Sequence, residues 1–251
     1  AELDTDIIDR LLRRGVEVTG AQEAVITNLS EDHFGEYGIH DLDALAEVKL
    51  LVAKTLASEG TLIANAGDAV LSDHAASLSS RHRLAWFARE LGDARSLGLP
   101  ACGVSEGRLR LVDGERDIDL GEIDAMPLTL GGVVGYNIEN IAAASLAAHL
   151  MGVSSDTIRD VLARFGAHPA ENRGRLQRWQ VRGIDVLLDY AHNPEGLRAL
   201  LQVANTLRGT GRLALLLGQA GNRVDADLHA LAEVAATARP DRVWLKDIGG
   251  E

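Results

Sequence analysis

Cysteines, long apolar runs and basic runs are scarce or absent in this chain, and each shortage excludes a class of protein. Cys102 is the only cysteine in 251 residues, which excludes an internal disulfide and a cysteine-based metal site, so we expect a reducing, cytoplasmic location. No apolar stretch approaches the roughly 20 residues that a membrane helix needs. Acidic residues outnumber basic ones by 37 to 25, without a Lys- or Arg-rich run. We therefore expect neither a membrane nor a nucleic acid as partner.

The length of the chain is enough for two modest domains, and its first part alternates strand and helix patterns. The segment 23–30 has the pattern of a buried strand, and 60–68 has the pattern of the next one. Between them, 41–57 places apolar residues at helical spacing after Asp41, a plausible N-cap. A strand–helix–strand alternation predicts a parallel sheet with helices packed on it.

A hairpin and two helices are predicted to complete the first domain. The segment 108–120 predicts a hairpin with Asp113-Gly114 at its turn. Helices are predicted over 137–152 and 154–166, with their apolar faces packed together. A polar segment, 167–175, follows and marks the domain boundary.

The second domain repeats an alternating β/α pattern after that boundary. We place the domains at 1–170 and 171–251, and we expect the second to be incomplete at its end. The pattern predicts two strands joined at Gly183, then a helix over 195–207, a strand over 212–219, a helix over 225–237 and a strand over 242–247.

Two polar clusters lie beside predicted helices. Asp32 and His33 follow the first strand, and Lys49 lies sixteen residues beyond His33 at the edge of an apolar stripe, where lost solvation would lower its pKa. A solvated loop with a surface lysine is the alternative interpretation. Asn137 is a plausible N-cap, and Asn140 shares its helix face, so that two carboxamides could contact a heterocycle.

Glycines and acids at later strand ends form the remaining candidates. Gly218 and Gly221 stand between a strand and a helix, where backbone amides could bind phosphate, although glycines at such turns are common. Asp189 and His192 follow a strand and precede a helix that begins near Pro194. Ligands bind at such strand ends in open α/β sheets.

Taken in order, these segments resemble the Mur ligases, a family of three-domain, ATP-dependent carboxylate–amine ligases. The resemblance extends from residue 21 almost to the end of the chain. In detail, the sequence is similar to the Mur-ligase half of cyanophycin synthetases. Five segments resemble motifs of the family. "TNLSEDH" resembles TN-x-x-x-DH, "RGRLQRW" resembles G-R-x-E/N, and "DYAHNPEGL" resembles DYAH-x-P-x-x-L. "GYNIENIAAA" resembles HN-x-x-N-x-x-AA, with Tyr136 in place of histidine, and "LLLGQAGNR" resembles G-x-x-G-D-R, with Asn222 in place of aspartate.

The resemblance implies an α/β fold in two parts and a role for each candidate residue. Residues 1–170 would be part of a P-loop-type central ATPase domain, and 171–251 would be a Rossmann-like C-terminal domain. The resemblance implies ATP and Mg²⁺, an acceptor with a free carboxylate, which is a small molecule or a peptide, and an amino-acid donor. In that family's terms, Mg²⁺ would be held by His33 and a carbamylated Lys49. The catalytic residues would be Lys49, Arg175 and His192. The nucleotide would be contacted by Asn137, Asn140, Arg175, Asp189 and His192.

Two departures leave an alternative open. The chain contains no G-x-x-G-K-[ST] phosphate-binding loop, with which the central domain of this family begins, and Ala1 is not a starting methionine. We expect a longer ligase with that loop upstream; the alternative is a catalytically silent binding module of the same fold. Asp189 is expected to turn toward the central domain rather than to bond within its own domain.

Overall fold

The computed structural model describes residues 20–29, 41–218 and 225–246. Its internal contacts divide the chain into two units, Ala1–Phe165 and Gly166–Glu251. The division falls beside the polar segment 167–175.

Unit one is built on a six-stranded sheet in which the strands follow sequence order. The first four strands are parallel, and the last two form an antiparallel hairpin. The parallel sheet and the hairpin predicted from the sequence are both confirmed. The strands are β1 (Ala21–Ile26), β2 (Leu56–Asn65), β3 (Arg83–Glu90), β4 (Ala101–Ser105), β5 (Arg108–Asp113) and β6 (Arg116–Glu122).

Five α-helices accompany this sheet in the described part of unit one. The helix predicted over 41–57 is too long: its α-helical part ends at Lys49, and a 3₁₀ turn over Leu50–Thr55 follows. Strand β2 already begins at Leu56, which pairs with Ala21 of β1, so tertiary pairing overrides the helical pattern. The helices are α1 (Leu42–Lys49), α2 (Ala69–Ala76), α3 (Leu91–Leu97), α4 (Gly135–Leu150) and α5 (Ser155–Leu162).

Both faces of the sheet are buried. Along β2, Leu62 and Ala64 pack into one apolar cluster, whereas Ile63 packs into the other. Strand β3 alternates in the same way, because successive side chains of a strand point to opposite faces. Helix α5 packs beside α4 through Ile158, as predicted for these two helices.

Unit two contains two small sheets and two helices in its described residues. Strands β7 (Gln177–Val181) and β8 (Ile184–Leu188) form the predicted hairpin, and Gly183 occupies the turn with a φ of 78°. The parallel pair β9 (Ala214–Gly218) and β10 (Arg242–Lys246) accompanies helices α6 (Pro194–Arg208) and α7 (Asp225–Thr237). Leu197, Leu201 and Val234 lie in their shared core. No helix in the described ranges is long and apolar enough to cross a membrane.

The close approach of β4 to the start of α3 gives a testable expectation. A Cβ at Gly103 would lie 2.7 Å from Leu91 N and 2.8 Å from Leu91 Cα, distances that backbone atoms cannot accommodate without moving. Gly103→Ala should therefore destabilise unit one by about 1–3 kcal/mol, measured by urea denaturation. Gly92→Ala in α3 is the matched control, since no atom lies within 4 Å of its added Cβ. Equal stability of the two variants would contradict this packing.

Candidate functional site

In unit one, the carboxyl ends of the first two strands meet the first turns of α4. Asn65, at the end of β2, is only 3% exposed. Its Nδ2 donates to Thr27 O at 2.9 Å and to Glu139 Oε2 at 3.1 Å. One side chain thus joins the end of β1, the end of β2 and helix α4. Ligands bind at this edge of open α/β sheets.

Lys49 lies at the same edge. It is the last residue of α1 and is half-buried, and its Nζ donates to Asn28 O at 3.2 Å. The structure therefore brings Lys49 to the end of β1, directly after which the motif with Asp32 and His33 begins. Asp32 and His33 themselves lie outside the described residues, so their predicted roles stay predictions.

An acid that the sequence reasoning did not single out fixes the loops around Asn65. Asp68 Oδ2 accepts from Leu29 N at 2.6 Å, and its Oδ1 accepts from Leu71 N at 3.0 Å. Asp68 thereby caps α2 and ties the chain after β1 to the chain after β2. The sequence indicates this role in "ANAGD", where an amide and an acid lie between a strand and a helix, as they do in "DYAHN".

The start of α4 differs from the sequence prediction. Asn137 is not the N-cap: the helix begins at Gly135, and the buried Asn137 side chain donates to Leu128 O at 2.8 Å. The N-cap position is occupied by Val134, one turn earlier than predicted, and no side chain caps the helix there. Asn140 is exposed, so the two carboxamides have different surroundings.

A second residue missed by the sequence reasoning stands at this helix start. A Cβ added at Gly135 would come within 2.9 Å of Arg89 Nη1, so the guanidinium of Arg89 lies against the first residue of α4. Helix N-termini attract anions. A cation at this position adds a second positive group where an anionic ligand would be favoured.

In unit two, Asp189 is bonded within its own domain, and the expectation that it would not be is wrong. Its Oδ2 accepts from Leu176 N at 2.7 Å and its Oδ1 accepts from Ala191 N at 2.9 Å. Tyr190 N also donates to Gly174 O at 2.9 Å. The carboxylate therefore ties the end of β8 to the segment that carries Arg175. It also pairs two backbone N–H groups that would otherwise lack an acceptor.

Arg175 and His192 are brought together by the ring between them. The guanidinium carbon of Arg175 lies 5.2 Å from the centroid of the Tyr190 ring. The centroids of Tyr190 and His192 are 4.7 Å apart. His192 directly precedes the N-cap of α6, Asn193, whose Oδ1 accepts from Gly196 N at 2.7 Å. A cation, a phenol and an imidazole are thus held at one helix N-terminus.

Other groups contribute less to a site. Gly218 ends β9, and the segment 219–224, which contains Gly221, lies outside the described residues. Cys102 is fully buried, and this burial raises the pKa of its thiol well above the ordinary value, which argues against a nucleophilic role.

The oxygen atoms at the carboxyl edge of the sheet in unit one could supply part of the coordination of a hard cation. Mg²⁺ takes oxygen ligands, and the Asn28 carbonyl and the Glu139 carboxylate supply such oxygens. Within the described ranges, however, no group of three or more His, Cys, Asp or Glu side chains could hold a metal ion. A metal site here would therefore depend on Lys49 and on residues such as His33.

Comparison with known proteins gives matches in both units. A family model described as Mur ligase middle domain matches residues 6–148, and one described as Mur ligase, glutamate ligase domain matches residues 174–247. The cyanophycin synthetase of Geminocystis herdmanii is 28% identical over 232 residues, which cover 90% of this chain and 26% of that protein. The UDP-N-acetylmuramate–L-alanine ligase of Kineococcus radiotolerans is 33% identical over 196 residues, covering 76% of this chain and 38% of that protein.

Solved structures show the same fold at lower identity. MurF from Acinetobacter baumannii superposes with a TM-score of 0.65 at 20% identity, covering 97% of this chain and 49% of that chain. The folylpolyglutamate synthase of Thermotoga maritima gives a TM-score of 0.58 at 19% identity, covering 92% and 48%. The chain spans about a quarter of the length of the cyanophycin synthetase and under half of that of these two structures.

Proposed function

The chain belongs to the Mur ligase family, and on that premise we propose that the natural protein is an ATP-dependent ligase that joins a carboxylate to the amine of an amino acid. The observation that carries the proposal is the meeting of Lys49, Asn65 and Glu139 at the carboxyl edge of the sheet in unit one. Phosphoryl transfer between two anions needs positioning and charge neutralisation, and Arg89 lies against the first residue of α4, where it supplies a cationic group.

The proposed reaction has two steps. A carboxylate oxygen of the acceptor attacks the γ-phosphorus of ATP, the bond to the β-phosphate oxygen breaks, and ADP leaves. The amine then attacks the acyl carbon, loses a proton and expels phosphate. Cations lower the cost of bringing the carboxylate and the phosphate together.

Lys49 is assigned to this step as a carbamate. A carbamate nitrogen keeps one N–H, so the observed hydrogen bond to Asn28 O is compatible with the modification. His33 and this carbamate would hold Mg²⁺, which supplies neutralisation of phosphoryl charge when bound. The exposed Asn140 is assigned to the nucleotide base, and the buried Asn137 is assigned a positioning role at the start of α4, since it donates to Leu128 O.

Unit two supplies the remaining roles. Arg175, stacked on Tyr190, and His192 at the start of α6 are assigned to the phosphate groups. Asp189 is assigned a positioning role, because its oxygens accept the backbone N–H groups that fix the segment next to Arg175. A cytoplasmic location belongs to the same proposal and is supported by the free, buried Cys102.

The test is a substrate-dependent assay of the natural full-length protein. Phosphate release from ATP is followed with cyanophycin or UDP-N-acetylmuramate as acceptor, and with each common amino acid as donor. We expect release that requires both an acceptor and an amine and that equals the amide bonds formed, counted by mass spectrometry. Release without an acceptor, or amide bonds without release, would contradict the proposal.

The alternative candidate is a binding module of the same fold without catalysis. The natural protein would then show no amide formation with any acceptor, while the isolated chain would still bind one of them in isothermal titration.

A further inference from the structure

A second cavity lies at the opposite edge of the sheet in unit one. It has a volume of about 540 Å³ and lies between the amino ends of β2, β3 and β4. Leu150, the last residue of α4, lines it. Glu139 stands in the first turns of the same helix, and α4 spans about 22 Å from Gly135 to Leu150 at 1.5 Å per residue. The cavity is therefore separate from the candidate ligase site.

The polar lining of this cavity is cationic. Arg81, His82 and Arg83 are consecutive residues that line it. In the described ranges, no ion pair or side-chain hydrogen bond involves any of the three. Three hydroxyl groups and no carboxylate join them, although the chain carries a net charge of −12. The hydroxyls belong to Ser58, Thr61 and Ser79.

The other walls are apolar and include an indole. Trp86 is 2% exposed and lines the cavity with Leu84, Leu97 and Leu99. A Cβ at Gly98 would lie 3.6 Å from Trp86 Nε1. Gly98 thus lies close to the edge of the indole, which is buried at the wall of the cavity.

We propose that this cavity binds a small phosphate ester with a flat apolar body. Two guanidinium groups and several hydroxyls match the oxygens of a phosphate group, since guanidinium pairs with phosphate through two parallel hydrogen bonds. The partly exposed leucines provide an apolar surface for the body, next to the buried indole of Trp86. A volume of this size lies within the range of pockets for small organic ligands, about 300–1,000 Å³. A phosphate ester also brings the counter-charge that Arg81 and Arg83 lack.

The test uses Trp86 as a local reporter. Trp179 and Trp244 are exposed residues of unit two, and replacing both by phenylalanine leaves Trp86 as the only tryptophan. Phenyl phosphate is titrated into this variant, with phenol, inorganic phosphate and benzoate as separate arms. We expect a saturable change in fluorescence with phenyl phosphate and none of comparable affinity with the other three. Equilibrium dialysis with labelled phenyl phosphate gives the same constant without relying on fluorescence.

Charge variants decide whether the cavity is responsible. Arg81→Ala and Arg83→Ala should each weaken phenyl phosphate at least about tenfold. Both residues are exposed, so circular dichroism should show an unchanged fold. Arg116→Ala, an exposed arginine of the hairpin in the same unit, should leave affinity unchanged. The proposal is overturned if phenyl phosphate does not saturate, if phenol or benzoate binds as tightly, or if the Arg81 and Arg83 variants bind like Arg116→Ala.

Discussion

Replacement of Lys49 by alanine in the natural full-length protein is expected to reduce amide formation by about 10²-fold or more, which is the loss seen when one preorganised charged contact to a transition state is removed. The Nζ of Lys49 lies at the carboxyl edge of the sheet, 3.2 Å from Asn28 O. Its removal should leave the apolar core intact, because Lys49 is the last residue of α1 and is not a member of the apolar cluster. The measurement is initial rate beside thermal denaturation, which should change little.

Lys49→Arg separates the carbamate from a simple cation. Arginine keeps the positive charge but cannot carry a carbamate, so this variant should be as inactive as Lys49→Ala. Short carboxylates should partly restore Lys49→Ala, and intact mass should show one added carbon dioxide on the parent only. Lys54→Ala is the control, since this exposed lysine lies five residues further on. Full activity of Lys49→Arg would contradict the carbamate.

Asp189→Ala is expected to destabilise unit two by about 2–4 kcal/mol, since two part-buried backbone donors lose their acceptors at about 1–3 kcal/mol each. These donors are the N–H groups of Leu176 and Ala191. Asp189→Asn should fall between the parent and Asp189→Ala, because one carboxamide oxygen still accepts. Urea denaturation gives the stability, and hydrogen exchange of the two amides gives the local effect.

A matched acid on the neighbouring hairpin controls for lost charge. Asp185 pairs with Arg178 at 2.9 Å on the surface, and exposed pairs contribute about 0–1 kcal/mol. Asp185→Ala should therefore melt close to the parent. If Asp189→Ala behaves like Asp185→Ala, with protected amides at Leu176 and Ala191, the positioning role is refuted.

Local chemistry explains which parts of the fold are predictable from the sequence. The hairpin at Gly183 and the start of α6 at Pro194 depend on turn and cap preferences of a few neighbouring residues, and both are confirmed. The parallel pairing of β1 with β2 follows from an alternating pattern. The end of α1 at Lys49 does not follow from the local pattern. It depends on the pairing of Leu56 with Ala21, which is a contact between residues distant in sequence.

The candidate site is predictable in its residue types but not in its bonds. Lys49, Arg175 and His192 stand in motifs that resemble a known family. Asn65 appears in the sequence only as one more asparagine at a strand end, yet its side chain joins three elements. Asp189 looks like a ligand-binding acid, and its backbone partners at Leu176 and Ala191 depend on how the chain before β7 passes the end of β8.

If the natural protein activates a carboxylate by phosphorylation, one oxygen atom of the acceptor must move to the released phosphate, and this transfer can be followed directly. The acceptor is labelled with ¹⁸O in its carboxylate, and the released phosphate is analysed by mass spectrometry. We expect each amide bond formed to transfer one ¹⁸O from the acceptor to phosphate. Amide formation that releases unlabelled phosphate, or AMP and pyrophosphate in place of ADP and phosphate, would contradict it.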